Sequence, residues 1–105
     1  MAYQDAITAL ADPTRRVIIE KLRRGPLPVG AIAAGMEVSR PAVSQHLRVL
    51  SDAGLLAVRP EGNRRLYAIA PDGVDELRRY LDTLWDDALA GFARAAEEKA
   101  KGNAK

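Results

Sequence analysis

The stretch Val38-Ser39-Arg40-Pro41-Ala42-Val43-Ser44-Gln45-His46-Leu47-Arg48-Val49-Leu50 constrains what this chain can fold into more than any other. Ser39 is a residue type that caps helix N-termini, and Pro41 falls in the first turn, where a missing N–H costs nothing. The pattern predicts a helix running to Ala53, stopped by Gly54 in the left-handed conformation. At about 100° per residue, Val43, Leu47 and Leu50 share one face, while Arg40, Ser44, Gln45 and Arg48 turn away from it. A short helix with an anchored apolar edge and a Ser/Gln/Arg outer edge has the shape and chemistry of a helix that reads the major groove of DNA. His46, the chain's one histidine, borders the apolar face; it reads as a packed, hydrogen-bonded side chain, not as a metal ligand or a catalytic base.

The segments before this stretch supply a second short helix and its support. Tyr3, Ala6, Ile7, Leu10 and Ala11 have helical spacing over residues 3–11, in a helix too short to stand alone. Asp12 as N-cap and Pro13 at the first helical position start the next helix, with Val17, Ile18 and Leu22 on its inner face and Ile19 near the edge. Gly25 and Pro26 end it, and Arg15, Arg16, Lys21, Arg23 and Arg24 are assigned to its outside, where any of them could touch phosphate but most are expected to face solvent or Glu20. A brief helix from Val29 to about Gly35, with Ile32 and Ala33 in the core, leads through Met36-Glu37-Val38 into the reading stretch. Two short helices joined by so few residues form a helix-turn-helix unit.

Downstream, Leu55–Val58 and Leu66–Ile69 read as strands around the turn Arg59-Pro60-Glu61-Gly62-Asn63-Arg64-Arg65, where Gly62 and Asn63 can take positive φ. The result is a β-hairpin with a basic tip in the position of a wing, suited to holding phosphates or entering the minor groove. Pro71 and Asp72 open a final helix over about residues 72–98. Leu77, Tyr80, Leu81, Leu84, Trp85, Ala88, Leu89, Phe92, Ala95 and Ala96 give it an apolar stripe wider than one small core requires. Aromatic anchors on a terminal helix suggest a subunit interface, with the first helix as its companion. Residues 1–98 are read as one DNA-binding and dimerisation domain, and 99–105 as a polar, frayed tail.

Charge supports the division of labour. Residues 13–65 hold ten Lys/Arg against four Asp/Glu, whereas both flanks are net acidic, so the basic excess lies around the reading stretch. The chain has no cysteine, which removes disulfides, thiolate metal sites and cysteine nucleophiles together. No apolar run reaches the roughly 20 residues of a membrane span and Asp5 interrupts any secretory signal, so no membrane contact and a cytoplasmic location are expected. Neither serine of the reading stretch has a partner base and there is no glycine-rich phosphate loop, so no enzyme activity is expected.

With the elements in this order, the chain resembles the ArsR/SmtB family of bacterial winged-helix repressors. The likeness rests on Ala11-Asp12-Pro13-Thr14-Arg15, the stretch Val38–Leu50, Ala53-Gly54-Leu55-Leu56 and the wing Glu61-Gly62-Asn63-Arg64-Arg65-Leu66-Tyr67. It implies a mainly α winged helix-turn-helix, ordered α-α-α-α-β-β-α, that forms a homodimer and represses transcription from a palindromic double-stranded operator. Ser39, Arg40, Ser44, Gln45 and Arg48 then fall in the DNA-reading helix, and Asn63, Arg64 and Arg65 in the wing. Tyr3, Ile7, Leu10, Leu81, Leu84, Trp85, Ala88 and Phe92 fall in the dimer interface. Many members sense metals through cysteines before the turn or through Asp, Glu and His on the last helix. Here the first region reads Leu27-Pro28-Val29-Gly30-Ala31-Ile32, and the last helix has Asp75, Glu76, Asp82, Asp86 and Asp87 without histidine. An all-oxygen Mg²⁺ or Ca²⁺ site is conceivable, but Asp82 and Asp86 read as a solvated face, so the chain is taken as a non-metal-sensing member with no metal and no cofactor, a small-molecule effector staying open. The rival reading is a winged-helix module that binds another protein through the Trp85/Phe92 helix.

Overall fold

The computed structural model describes residues 2–103. The order is α1 (Ala2–Leu10), α2 (Pro13–Leu22), β1 (Leu27–Pro28), α3 (Val29–Ala33), α4 (Arg40–Asp52), β2 (Leu56–Glu61), β3 (Arg64–Ile69) and α5 (Pro71–Asn103). Local chemistry sets most boundaries. The Asp12 carboxylate accepts from the Arg15 N–H at 3.0 Å and Pro13 takes the first position of α2. Ser39 Oγ accepts from the Ala42 N–H at 3.2 Å, starting α4. At its other end Gly54, at φ +81°, closes the helix: its N–H reaches the Ser51 carbonyl and the Leu55 N–H reaches the Leu50 carbonyl, both at 3.0 Å.

The core gathers side chains from the first four helices and the start of the hairpin. Ile18 and Leu22 of α2, Ile32 of α3, Val43, Leu47 and Leu50 of α4, and Leu55 and Leu56 after it are buried together with Ala6 and Ala9 of α1. The three predicted anchors of α4 are fully enclosed. Val17 departs from the expectation. It stands 46% exposed, because the buried arc of α2 centres on Ile18 and Leu22 with Ile19 beside them, and Val17 falls beyond it.

The hairpin is longer and better braced than the sequence suggests. Glu61 pairs directly with Arg64, so the loop is only Gly62-Asn63, and Arg59, Pro60, Glu61, Arg64 and Arg65 belong to strands. Positive φ occurs at Gly62 (+61°) and not at Asn63, which is the φ pattern of a type II′ turn and suits the twist of the strands. A third strand, absent from the sequence reading, pairs Leu27 with Tyr67 and Pro28 with Leu66, giving the antiparallel order β1-β3-β2. Pro28 is tolerated there because β1 is an edge strand.

Helix α5 runs 33 residues, about 50 Å at 1.5 Å per residue, which accounts for the 74 × 26 × 24 Å outline. It begins against the turn after α4, with Leu77 packed on the core, and meets α1 where Tyr3 stacks on Tyr80 at 4.4 Å between ring centres. The helix continues through residues 99–103, so the expected polar tail is helical as far as Asn103; residues 104 and 105 lie outside the described residues. Among the described residues no helix is long and apolar enough to cross a membrane.

Candidate nucleic-acid interface

Because Val43, Leu47 and Leu50 hold one side of α4 in the core, its other side is fixed toward solvent. Ser39, Arg40, Ser44, Gln45 and Arg48 are all exposed there, and Asn63, Arg64 and Arg65 are exposed on the wing. Ser44 and Gln45 have no side-chain partner among the described residues, and Arg48 meets only Asp52 at 4.0 Å, a loose contact between exposed groups. These side chains keep their hydrogen-bonding capacity for a ligand. Arg40 differs: its guanidinium lies back over Gly30, whose added Cβ would stand 3.7 Å from Nη2.

Along β2 and β3 successive side chains alternate between faces. Arg64 shares a face with Arg59 and Glu61, and Glu61 binds Arg64 at 3.1 Å and Arg59 at 4.0 Å. Arg65 shares the opposite face with Pro60 and Tyr67 and has no ion pair among the described residues. The two wing arginines are therefore not equivalent. Arg59 is also exposed on the wing, beside the three residues that the sequence reading placed there.

The basic residues of α2 serve the fold. Arg15 Nε donates to the Ala9 carbonyl at 2.6 Å, and Arg16 Nη1 donates to the Leu10 and Ala11 carbonyls at 2.8 and 3.0 Å, so both cap the end of α1. Lys21 Nζ donates to the Ile32 and Ala34 carbonyls around the end of α3, and Arg23 pairs with Glu20. Arg15 Nη1 also lies 3.4 Å from His46 Nδ1; since guanidinium only donates, that nitrogen is the acceptor. His46 is half-buried and joins α4 to α2, as its supporting position implied. The Arg15 backbone N–H holds the Asp12 carboxyl below the usual carboxylate range against the opposing effect of burial, with the charge of Arg15 adding to it.

Among the expected interface residues, Ile7, Leu81, Leu84, Trp85, Ala88 and Phe92 are exposed, Phe92 by 77% and Trp85 by 64%. Tyr3 and Leu10 are half-buried within the chain itself, Tyr3 on Tyr80 and Leu10 on the core. Among the described residues no three His, Cys, Asp or Glu side chains come together as a metal site.

A groove-sized helix on a helix-turn-helix scaffold, flanked by a basic hairpin, defines a winged helix-turn-helix domain of the nucleic-acid-binding kind. The helix-turn-helix domain family matches residues 10–59. The chain is 52% identical over 91 residues to the HTH-type transcriptional regulator Rv2034 of Mycobacterium tuberculosis, covering 87% of this chain and 85% of that one. The crystal structure of a possible transcriptional regulator for arsenical resistance superposes with a TM-score of 0.71 at 40% identity, over 83% of this chain and 95% of that one. The homodimeric winged helix-turn-helix DNA-binding domain of Mb0332 from Mycobacterium bovis, a possible ArsR-family regulator, superposes with a TM-score of 0.66 at 30% identity, over 82% and 80%. The chain belongs to the ArsR/SmtB family of helix-turn-helix transcriptional regulators.

Proposed function

We propose that this chain is a homodimeric, cytoplasmic repressor that binds an inverted-repeat operator and is not an enzyme. The observation that carries the proposal is the exposed Ser44–Gln45–Arg48 edge of α4, set rigidly by three fully buried anchors on its other side. Gln45 suits adenine and Arg48 guanine, while the wing and Ser39 suit the backbone. The apolar stripe of α5, with Ile7 of α1, is the surface on which a second copy docks, and the homodimeric Mb0332 domain supports that assignment. A two-fold axis then puts the two reading helices in successive major grooves, about 34–36 Å apart. Occupying a promoter in this way blocks polymerase sterically. The absence of thiol and additional histidine ligands favours a member that responds to something other than a soft metal.

Genome-wide binding of the tagged protein, followed by footprinting of the recovered promoters, tests the proposal. Inverted repeats one helical turn apart, and raised transcription on deletion, are expected. Binding that is weak, salt-sensitive and indifferent to sequence overturns it.

A further inference from the structure

The side chain of Arg40 does not lie with the base-reading edge of its helix. Its guanidinium folds back over Gly30, with Nη2, Cζ and Nη1 at 3.7, 3.8 and 3.9 Å from the position of an added Cβ. From there it faces the wing across a cleft of about 410 Å³, lined on the wing side by Asn63, Arg64, Arg65 and Tyr67. No carboxylate lines this cleft. Glu61 engages Arg64, but neither Arg40 nor Arg65 has an ion pair among the described residues. Two guanidinium groups left without a counter-charge at one cleft repel each other, and an oxyanion between them reverses the sign of that interaction.

We infer that this cleft is a phosphate cradle spanning the helix-turn-helix and the wing, with Arg40 and Arg65 as its jaws. The inference rests on the DNA-binding reading above and narrows it: Arg40 holds backbone and does not read a base. Guanidinium forks match phosphate oxygens, and the Asn63 amide and Tyr67 hydroxyl add neutral donors at the same cleft. A phosphate held from both elements at once fixes the register of α4 in the groove. The same chemistry accepts a free phosphorylated molecule, which then competes with DNA.

Affinity is measured against salt for a duplex from a recovered promoter and for a scrambled duplex, using wild type, Arg40→Ala, Arg65→Ala and the double variant. Because both jaws serve one phosphate, the double variant lowers the slope of log K against log salt by about 0.9, where two separate phosphates would lower it by about 1.8. The loss falls equally on both duplexes. A drop of about 1.8, an unchanged slope, or a loss by Arg40→Ala confined to the promoter duplex overturns the cradle while leaving the DNA-binding reading in place; wild type that binds neither duplex overturns that reading first. Matching thermal unfolding curves for these exposed substitutions exclude a folding defect. Inorganic phosphate added at constant ionic strength separates the sources. Displacement of the duplex from wild type but not from the double variant supports a cradle open to free phosphate, and no displacement together with the slope change supports one reserved for the DNA backbone.

Discussion

Replacing Gly73 by alanine tests how α5 is joined to the reading helix. A Cβ at Gly73 would stand 1.7 Å from the Gly54 carbonyl oxygen and 2.6 Å from its carbon, so the two backbones must part by about 1.7 Å to reach the 3.4 Å of ordinary contact. Neither side can yield by turning a side chain. The Gly54 turn is fixed by its bonds to Ser51 and Leu50, and the entry to α5 by the Ala70 N–H bond to the Leu55 carbonyl at 2.8 Å. Forcing atoms into such a contact costs about 1–3 kcal/mol, occasionally more, against a helix-propensity gain of roughly 0.5–1 kcal/mol. A net loss of about 1–2 kcal/mol is expected, or roughly 4–8 °C of melting temperature per kcal/mol in a domain near this size. The control is Gly91→Ala, where within one chain the new methyl would meet only the flexible end of Arg94 at 3.8 Å and helix propensity is expected to raise the stability of that chain. Thermal unfolding followed by circular dichroism at one protein concentration decides between them. A Gly73→Ala variant that melts at or above wild type would falsify the contact as a constraint on the fold.

Substituting Gln45 or Arg48 by alanine is expected to weaken promoter binding by about 1–3 kcal/mol while leaving scrambled DNA less affected; equal losses on both duplexes in a titration would remove the base-reading role. Trp85→Glu, placing a charge at a side chain 64% exposed in one copy, is expected to yield monomers in sedimentation, and an intact dimer would reassign that face. Asp12 has a lowered pKa in the fold, so its contribution to stability is complete above the unfolded value of about 3.9 and disappears as pH falls through the still lower folded value. The gap in urea midpoint between wild type and Asp12→Ala is accordingly expected to narrow only in that acid window; a gap that closes near neutrality would refute the linkage.

What was legible in the sequence is what local chemistry decides. Asp12, Ser39 and Gly54 are caps whose partners lie within a few residues, and the buried trio of α4 is spaced by one helical period, so both follow from order alone. What was not legible depends on distant partners. Leu27-Pro28 is too short to show a strand period, and it becomes a strand only because Leu66 and Tyr67 arrive to pair with it. Arg59-Pro60-Glu61 has the composition of a turn and is held extended by the ladder to Leu66, Arg65 and Arg64. Arg15, Arg16 and Lys21 carry the charge of a phosphate-binding face, yet their targets are carbonyls at the ends of other helices. Of the candidate site, the exposed edge of α4 was readable; the folding back of Arg40 toward the wing was not, since it depends on where the fold sets Gly30 and the hairpin relative to α4.

The two-residue strand β1 is the smallest element of the fold, yet it ties the base of the wing to the residues that open α3. In the function proposed above, helix reader and wing then act as one stamp, whose imprint on a half-site is set within a single chain. On that proposal, the distance between two such imprints is set by α5, whose outer two-thirds stands clear of the stamp. The same proposal expects mutations that change which letters are read and mutations that change the gap between words to fall in separate parts of the gene.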